Sequence, residues 1–438
     1  MDKNKRLTVW LPVIIAASIA LGIFIGNHYL SISQGKKRSY SSGNKINAIL
    51  DIIDEQYVDT VSMSKLVEST IPKIFSELDP HSVYIPAEDA SVVNEELEGS
   101  FSGIGVSFNM QTDTILVISV ISGGPAEKAG LLPFDRIISI NDSIFSGKKK
   151  NQGEIMKTLR GAKNSTVKLG VQRGNSPELL YFDVTRGDVP VNSVDVSFEA
   201  AKGIGYIKVS KFARNTYNEF ITAIAKLKQA GCTSFVIDLR GNTGGYMDAA
   251  INMINEFMPE GRLIVYTEGK SFPRSDVYAN GTGTCKDAPI VVLTDEISAS
   301  ASEIFSGAIQ DNDRGTIIGR RTYGKGLVQT QMSLSDGSEM RLTIARYYTP
   351  SGRCIQKKYE MGNTDAYDQD IYNRYMHGEF DSADSIKMDD SLKYQTVGGR
   401  TVYGGGGIMP DIFIPRDTSG VTSYYSNCLL YTSPSPRD

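Results

Sequence analysis

Between Ser234 and Met258 the chain reads "SFVIDLRGNTGGYMDAAINMINEFM": an unbroken apolar run, a turn holding three glycines, then apolar residues at helical spacing. A strand with no polar alternation must be buried on both faces, so this stretch predicts a covered, largely parallel sheet. Its neighbours extend the pattern. "GIGYIKVSKF" reads as a strand, "NTYNEFITAIAKLKQAG" as an amphipathic helix stopped by glycine, and "APIVVLTDE" as another buried strand that runs into "SASASEIFSGAIQD". Strands alternating with helices imply an α/β fold with its site at the carboxyl ends of the strands. The glycine turn and the serine cluster both fall there.

The flanking segments have a different character. From Ser100 to about Arg186 the strands are short and alternating ("GIGVSFN", "TILVISVI", "DRIISIND", "TVKLGVQR", "LLYFDVTR"), which predicts a separate β-rich module over 100–187. Ahead of it, region 45–99 places Ile46, Ile49, Leu50 and Ile53, and later Leu66, Ile71 and Ile74, at helical spacing. Two amphipathic helices are expected there, ended at Pro80 in "LDPHSVYI". Residues 31–44 read as a polar linker. Leu7 to Gly26 is a twenty-residue run without a charge, long enough to cross a bilayer, and it is expected to be a retained anchor within residues 1–30. The short basic tail carrying Lys3, Lys5 and Arg6 favours a cytoplasmic N-terminus, with the large remainder on the other side. Residues 188–427 are expected to form the main domain, with an Asp- and Tyr-rich surface insertion at about 359–398. The last eleven residues, "CLLYTSPSPRD", read back into DNA as the end of a transposase-based sequencing adapter and are expected to be read-through.

Composition removes several function classes. With 46 Lys plus Arg against 50 Asp plus Glu, the net charge of -4 gives no electrostatic footprint for nucleic acid, and Lys148 to Lys150 reads as a solvated loop. The four cysteines lack CxxC spacing, so neither a zinc site nor a disulfide framework is suggested, and Cys232 reads as a small residue before a buried strand. Only His28, His81 and His377 occur. A Ser-His-Asp triad therefore has one candidate, His81, and a His-rich metal site has no basis.

A serine hydroxyl needs a base to take its proton. Lys325 stands between Gly324 and Gly326, which allow close backbone approach, and Tyr323, Leu327 and Val328 can desolvate its amine. Burial disfavours the ammonium and makes lysine a better base near neutrality, so a Ser/Lys dyad follows. The residues alone do not choose among the crowded serines Ser298, Ser300, Ser302 and Ser306.

Taken in order, "LDPHSVYI", the β-rich module, "VIDLRGNTGG", "SASASEIFSGAIQD", "GRRTYGKGLVQT", "RYYTPSGRCIQ" and "GGGIMPDIFIP" resemble the carboxyl-terminal processing, or tail-specific, proteases along nearly the whole chain after the linker. The resemblance implies a crotonase/ClpP-like α/β protease core with an inserted PDZ domain. It implies Ser300 as nucleophile, Lys325 as general base, Gln329 as the residue orienting that lysine, and the amides of Ala301 and of Gly244, or its neighbour Gly245, as the oxyanion hole. Asp311 takes a supporting, non-titrating place. In the PDZ domain, Gly103, Ile104, Gly105 and Val106 match the loop that receives a C-terminal carboxylate, so protein substrates bound by their C-termini are the implied partners. No metal or organic cofactor is implied. The anchor and the resemblance together imply a bacterial inner-membrane protein with its catalytic domain in the periplasm, and leave room for an adaptor or activator and for a homo-oligomer. A catalytically inactive, membrane-tethered PDZ scaffold is the rival reading, and it would require a damaged site. An acyl-CoA enzyme on a crotonase-like core has no motif to support it.

Overall fold

Six strands form the main sheet of the computed structural model, in the order Val194–Ala201, Ile204–Val209, Ser234–Asp238, Ile290–Thr294, Thr316–Gly319, Ile412–Phe413. The structure describes residues 16–23, 42–111, 114–144, 152–174, 176 and 178–417. Only the outermost pair, Val194–Ala201 with Ile204–Val209, is antiparallel; every other neighbour runs parallel. The expected parallel sheet is thus present. Its apolar strands are covered by the helices Thr216–Gln229, Met247–Asn255 and Ala301–Asp311, and Ile207, Ile237, Val292 and Ile317 are fully buried among them. In Thr216–Gln229 the buried residues are Thr216, Phe220, Ala223, Ile224 and Leu227, one helical stripe, and Gly231 at φ +95 ends the run.

A second sheet stands beside the first and is antiparallel throughout. Glu339–Tyr348 pairs with Leu327–Ser333, with Leu263–Glu268 and with the short strand Val83–Ile85, while Ser275–Tyr278 lies on the edge of Leu263–Glu268. Val83–Ile85 comes from the region expected to be helical. Three residues carry too little periodicity to be read, and their partners, Glu339 to Arg341, lie some 250 residues further along.

The β-rich module has the strands Val106–Gln111, Thr114–Val120, Arg136–Ile140, Thr166–Gln172 and Leu180–Thr185 in that order, with Ser143–Ile144 paired to Arg136–Ile140. The helices Pro125–Ala129 and Gln152–Leu159 close it over its own core of Ile115, Val117, Ile137, Val167, Leu169 and Val171. Ser100–Gly103 pairs with Gly187–Pro190, so the chain enters and leaves the module through one antiparallel ribbon, near the expected bounds of 100 and 187.

The chain divides into two units, Met1–Thr70 and Ile71–Asp438. In the first, residues 16–23 are helical with Ile19, Leu21 and Ile23 exposed, and the helix Ser42–Gln56 exposes Ile46, Ile49 and Ile52. The helix Met63–Ser76 is the second one expected. Among the described residues no helix is long and apolar enough to cross a membrane. Most of the Leu7 to Gly26 run, the linker up to residue 41, Lys148 to Lys150 and the last eleven residues lie outside the described residues.

Candidate active site

The helix Ala301–Asp311 is buried along its whole length, so each polar side chain on it needs a partner. Ser302 donates to the carbonyl of Asn242 at 2.9 Å, Ser306 to the carbonyl of Ser302 at 2.8 Å, and Ser298, just ahead of the helix, to the carbonyl of Leu239 at 2.8 Å. Ser298 and Ser302 thus tie the start of the helix to the glycine turn, while Ser306 bonds within the helix. Ser300 differs: of the four, it is the one that lines a cleft of about 710 Å³, which Lys325, Gln329, Gly244, Gly245 and Tyr347 also line.

Ser300 sits at the N-cap with φ +55 and ψ -114, a conformation that costs a non-glycine residue about 1–3 kcal/mol and persists only where the surroundings enforce it. The enforcement is visible. Its N–H donates to Glu303 Oε2 at 2.9 Å, and its carbonyl accepts from the Tyr347 hydroxyl at 3.1 Å. The same two side chains hold the lysine. Glu303 Oε2 also accepts the N–H of Lys325 at 2.8 Å, Glu303 Oε1 accepts Gly324 N–H at 2.7 Å and the Thr322 hydroxyl at 2.5 Å, and the Tyr347 hydroxyl also meets the Lys325 carbonyl. One buried carboxylate and one buried phenol thus stitch the two residues together through their main chains. Burial pushes the Glu303 carboxyl up to about 7, against four hydrogen-bond donors that favour the anion, and raises the Tyr347 hydroxyl well above its ordinary value.

Lys325 donates from Nζ to Gln329 Oε1 at 3.1 Å. Burial, and after it the Arg341 guanidinium, hold its ammonium below the usual lysine value, opposed by Asp79 and Glu303. Gln329 lies in the strand Leu327–Ser333, where a register shift between Val328 and Gln329 marks a bulge of the kind that re-aims a side chain beside a site. Its amide nitrogen donates to the main-chain carbonyl of His81. The His81 ring is not part of a triad: Nε2 meets the Tyr367 hydroxyl at 2.9 Å, and burial pushes the imidazole down to about 4.

The glycine turn packs directly on Ser300. A Cβ on Gly244, where φ is +105, would lie 2.7 Å from Ser300 Cβ, and one on Gly245 would lie 2.1 Å from the Phe212 carbonyl oxygen. Gly244 N–H, expected as an oxyanion donor, is held by Asn242 Oδ1 at 2.8 Å. No described hydrogen bond engages the neighbouring N–H of Gly245. Ala301 N–H opens the helix, where the helix cannot satisfy its own amides.

Asp311 takes the supporting place expected of it: it pairs with Arg353 at 2.7 Å with neither side chain exposed. The Asp- and Tyr-rich stretch at 359–398 does more than fill a surface loop. Its helix Thr364–Met376 buries Tyr367 and Arg374, and Arg374 donates to the carbonyls of Arg321 and Thr322, just ahead of Lys325. Lys357 lies between the rings of Tyr323 and Tyr367, 4.0 Å from each centroid.

In the β-rich module the expected loop lies at one end of a groove of about 200 Å³ lined by Phe101, Ile104, Val106, Phe108, Met156 and Leu159. Ile104 C=O accepts from Ala126 N–H at 2.7 Å and Gly105 C=O from Ile121 N–H at 2.9 Å. A trans peptide points its N–H opposite to its C=O, so the N–H groups of Gly105 and Val106 face away from those bonds. Gly105 holds φ +78 to make the turn.

The sequence matches known families and proteins. Residues 203–365 match the profile of peptidase family S41 and residues 102–195 that of the PDZ domain. The carboxy-terminal processing protease CtpB of Bacillus subtilis is 35% identical over 318 residues, covering 72% of this chain and 66% of its own length. A probable CtpA-like serine protease of Staphylococcus aureus is 33% identical over 365 residues, covering 82% of this chain and 72% of its own. Among solved structures, the photosystem II D1 C-terminal processing protease aligns with 24% identity and a TM-score of 0.42, covering 86% of this chain and 94% of that one. By these matches, the chain belongs to the carboxyl-terminal processing proteases of peptidase family S41, serine-type peptidases carrying a PDZ domain.

Proposed function

We propose that this chain is a membrane-tethered endopeptidase that cuts protein substrates selected by their C-termini, with Ser300 as nucleophile and Lys325 as general base. One observation carries the reading: of the four serines in the cluster, the one that lines the cleft with Lys325 is also the one held in a strained backbone. In the reaction the neutral Lys325 amine takes the Ser300 proton while Oγ bonds to the peptide carbonyl carbon. The oxyanion is met by Ala301 N–H and by an amide of the Gly244–Gly245 turn. In this conformation Gly245 has the available N–H, because Asn242 holds that of Gly244. Collapse breaks the C–N bond and the leaving amine takes the proton from Lys325; the neutral Lys325 amine then deprotonates a water that attacks the ester, and returns that proton to Ser300 Oγ as it leaves. Gln329 keeps the amine in place through its Oε1.

The PDZ groove is proposed to take an apolar C-terminal residue, with its carboxylate at the amides of Gly105 and Val106. The uncharged run from Leu7 to Gly26 supports an anchor in the bacterial envelope that leaves the catalytic domain outside the cytoplasm. Recovery of the full chain in the soluble fraction after alkaline carbonate washing would remove the anchor.

The test is cleavage of an unstructured protein with an apolar C-terminus by the full chain, beside Ser300→Ala and Lys325→Ala. Both variants are expected to lose about 10³-fold or more in rate. Persistent cutting without Ser300 would overturn the assignment, and an inert parent would favour the scaffold.

A further inference from the structure

A carboxamide has two ends of nearly equal shape, and only its partners decide which end faces which way. For Gln329 the choice has a chemical consequence. With oxygen toward Lys325, the amide accepts an N–H from the amine and leaves the nitrogen lone pair free for the Ser300 proton. With its NH2 group toward Lys325, the amide would donate into that lone pair and disable the base. The orienting partner is the main-chain carbonyl of His81, which accepts from Gln329 Nε2 and so keeps Oε1 on the lysine.

That carbonyl belongs to a turn with its own fastening. Asp79 Oδ1 accepts the N–H groups of His81 at 3.0 Å and Ser82 at 3.1 Å, and Oδ2 accepts the Ser82 hydroxyl at 2.5 Å. Thr343 joins it from the strand Glu339–Tyr348: its hydroxyl donates to Asp79 Oδ1 at 2.9 Å and its N–H to Ser82 Oγ at 3.1 Å. Thr343 is also the residue directly opposite Gln329 in the ladder. The turn is therefore registered to the very position whose side chain it orients. We propose that the Asp79–Ser82 turn is a positioning element of the catalytic lysine, in which the His81 carbonyl selects the productive orientation of the Gln329 carboxamide. The inference rests on Lys325 being the general base.

The experiment follows phosphonylation of Ser300 by a fluorophosphonate probe across pH in the full chain, which needs no knowledge of the natural substrate. The set is the parent, Ser300→Ala, Asp79→Ala, Asp79→Asn, Gln329→Ala and the double variant Asp79→Ala with Gln329→Ala. Misplacing a catalytic group by about 1 Å costs about a hundredfold, so Asp79→Ala is expected to label about 10–100-fold more slowly than the parent at one thermal stability. Asp79→Asn keeps an oxygen for the two N–H groups and recovers most of that rate. The double variant is no slower than Gln329→Ala alone, because the turn acts through Gln329. Parent-like labelling of Asp79→Ala, or a double variant slowed by the product of the two single effects, overturns the proposal. If Asp79→Ala does not fold, Thr343→Val removes a single hydroxyl from the turn and carries the same cycle. Labelling of Ser300→Ala at the parent rate would instead refute the nucleophile assignment, so the two failures are distinct.

Discussion

Glu303→Gln changes one atom in a site where four donors converge, and the outcome can be worked from their positions. Oε1 serves Thr322 and Gly324, and Oε2 serves Ser300 and Lys325. A glutamine supplies one oxygen. Its least costly orientation turns that oxygen to Ser300 and Lys325 and its NH2 to Thr322, whose hydroxyl can rotate to accept, which leaves the Gly324 N–H facing another N–H. An orphaned buried donor costs about 1–3 kcal/mol. Against this, the variant no longer buries a charge. The carboxyl, raised from 4.5 to about 7, binds a proton in the folded state across a range where the unfolded chain does not. Its contribution to stability is fully present below pH 4.5 and is lost as pH rises through 7, about 3 kcal/mol in all. At pH 8 the two terms nearly cancel, so calorimetry of the full chain should find melting temperatures within a few degrees. Activity should not cancel. Displacing the peptide between Gly324 and Lys325 moves the proposed base, and cleavage should fall about a hundredfold. The parent should also lose stability between pH 5 and pH 8 in a way the variant does not. A Gln variant that cuts within threefold of the parent, or one that keeps the same pH-dependent loss, would refute the clamp.

Two further outcomes follow from other parts of the molecule. Asp311→Ala strands the Arg353 guanidinium, which has no exposure and is bonded also to Gln310 Oε1 and the Tyr403 carbonyl; a loss of about 3–5 kcal/mol is expected as a lowered calorimetric transition, and an unchanged one would contradict the ion pair. Met156→Asp puts a charge into the PDZ groove and should raise KM several-fold for a substrate ending in an apolar residue while leaving kcat near the parent value, whereas an equal KM would place C-terminal recognition elsewhere.

How much of this could be read from the chain depends on how far apart the interacting residues lie. The parallel sheet, the glycine turn and the β-rich module follow from local periodicity, and the structure has all three. The choice among the serines does not, because Ser298 and Ser302 find their acceptors in Leu239 and Asn242, about sixty residues earlier. Only once those bonds are known does Ser300 stand apart. Glu303 left a signal that was missed: Ser300 and Glu303 have the spacing of a capping box, a serine followed three residues later by glutamate at a helix start. What that pattern could not reveal is that the same carboxylate reaches Gly324 and Lys325. The 359–398 stretch reads as a loop because its Asp and Tyr residues look solvated; its anchors, Tyr367 and Arg374, bond to main-chain and side-chain groups from His81 to Gln356.

These misses share a physical cause. The groups around Ser300 and Lys325 are polar, and Glu303, Tyr347 and Asp79 are buried, while the half-buried Gln329 amide is held between two partners. A buried polar group costs stability unless its partners are in place, so each is a poor choice for a core judged by hydrophobicity alone. What such groups supply is direction. An apolar core would hold the helix Ala301–Asp311 against the strand Leu327–Ser333 without aiming any polar group, because burial is non-directional. A carboxylate with four donors, a phenol between two carbonyls and an amide with two distinguishable ends are directional. The proposed pairing of a serine with Lys325 is legible because histidine is scarce and the lysine stands between two glycines, although the choice of serine is not. Its precision is written in hydrogen bonds to main-chain atoms, where residue identity is silent and only the fold assigns the partner.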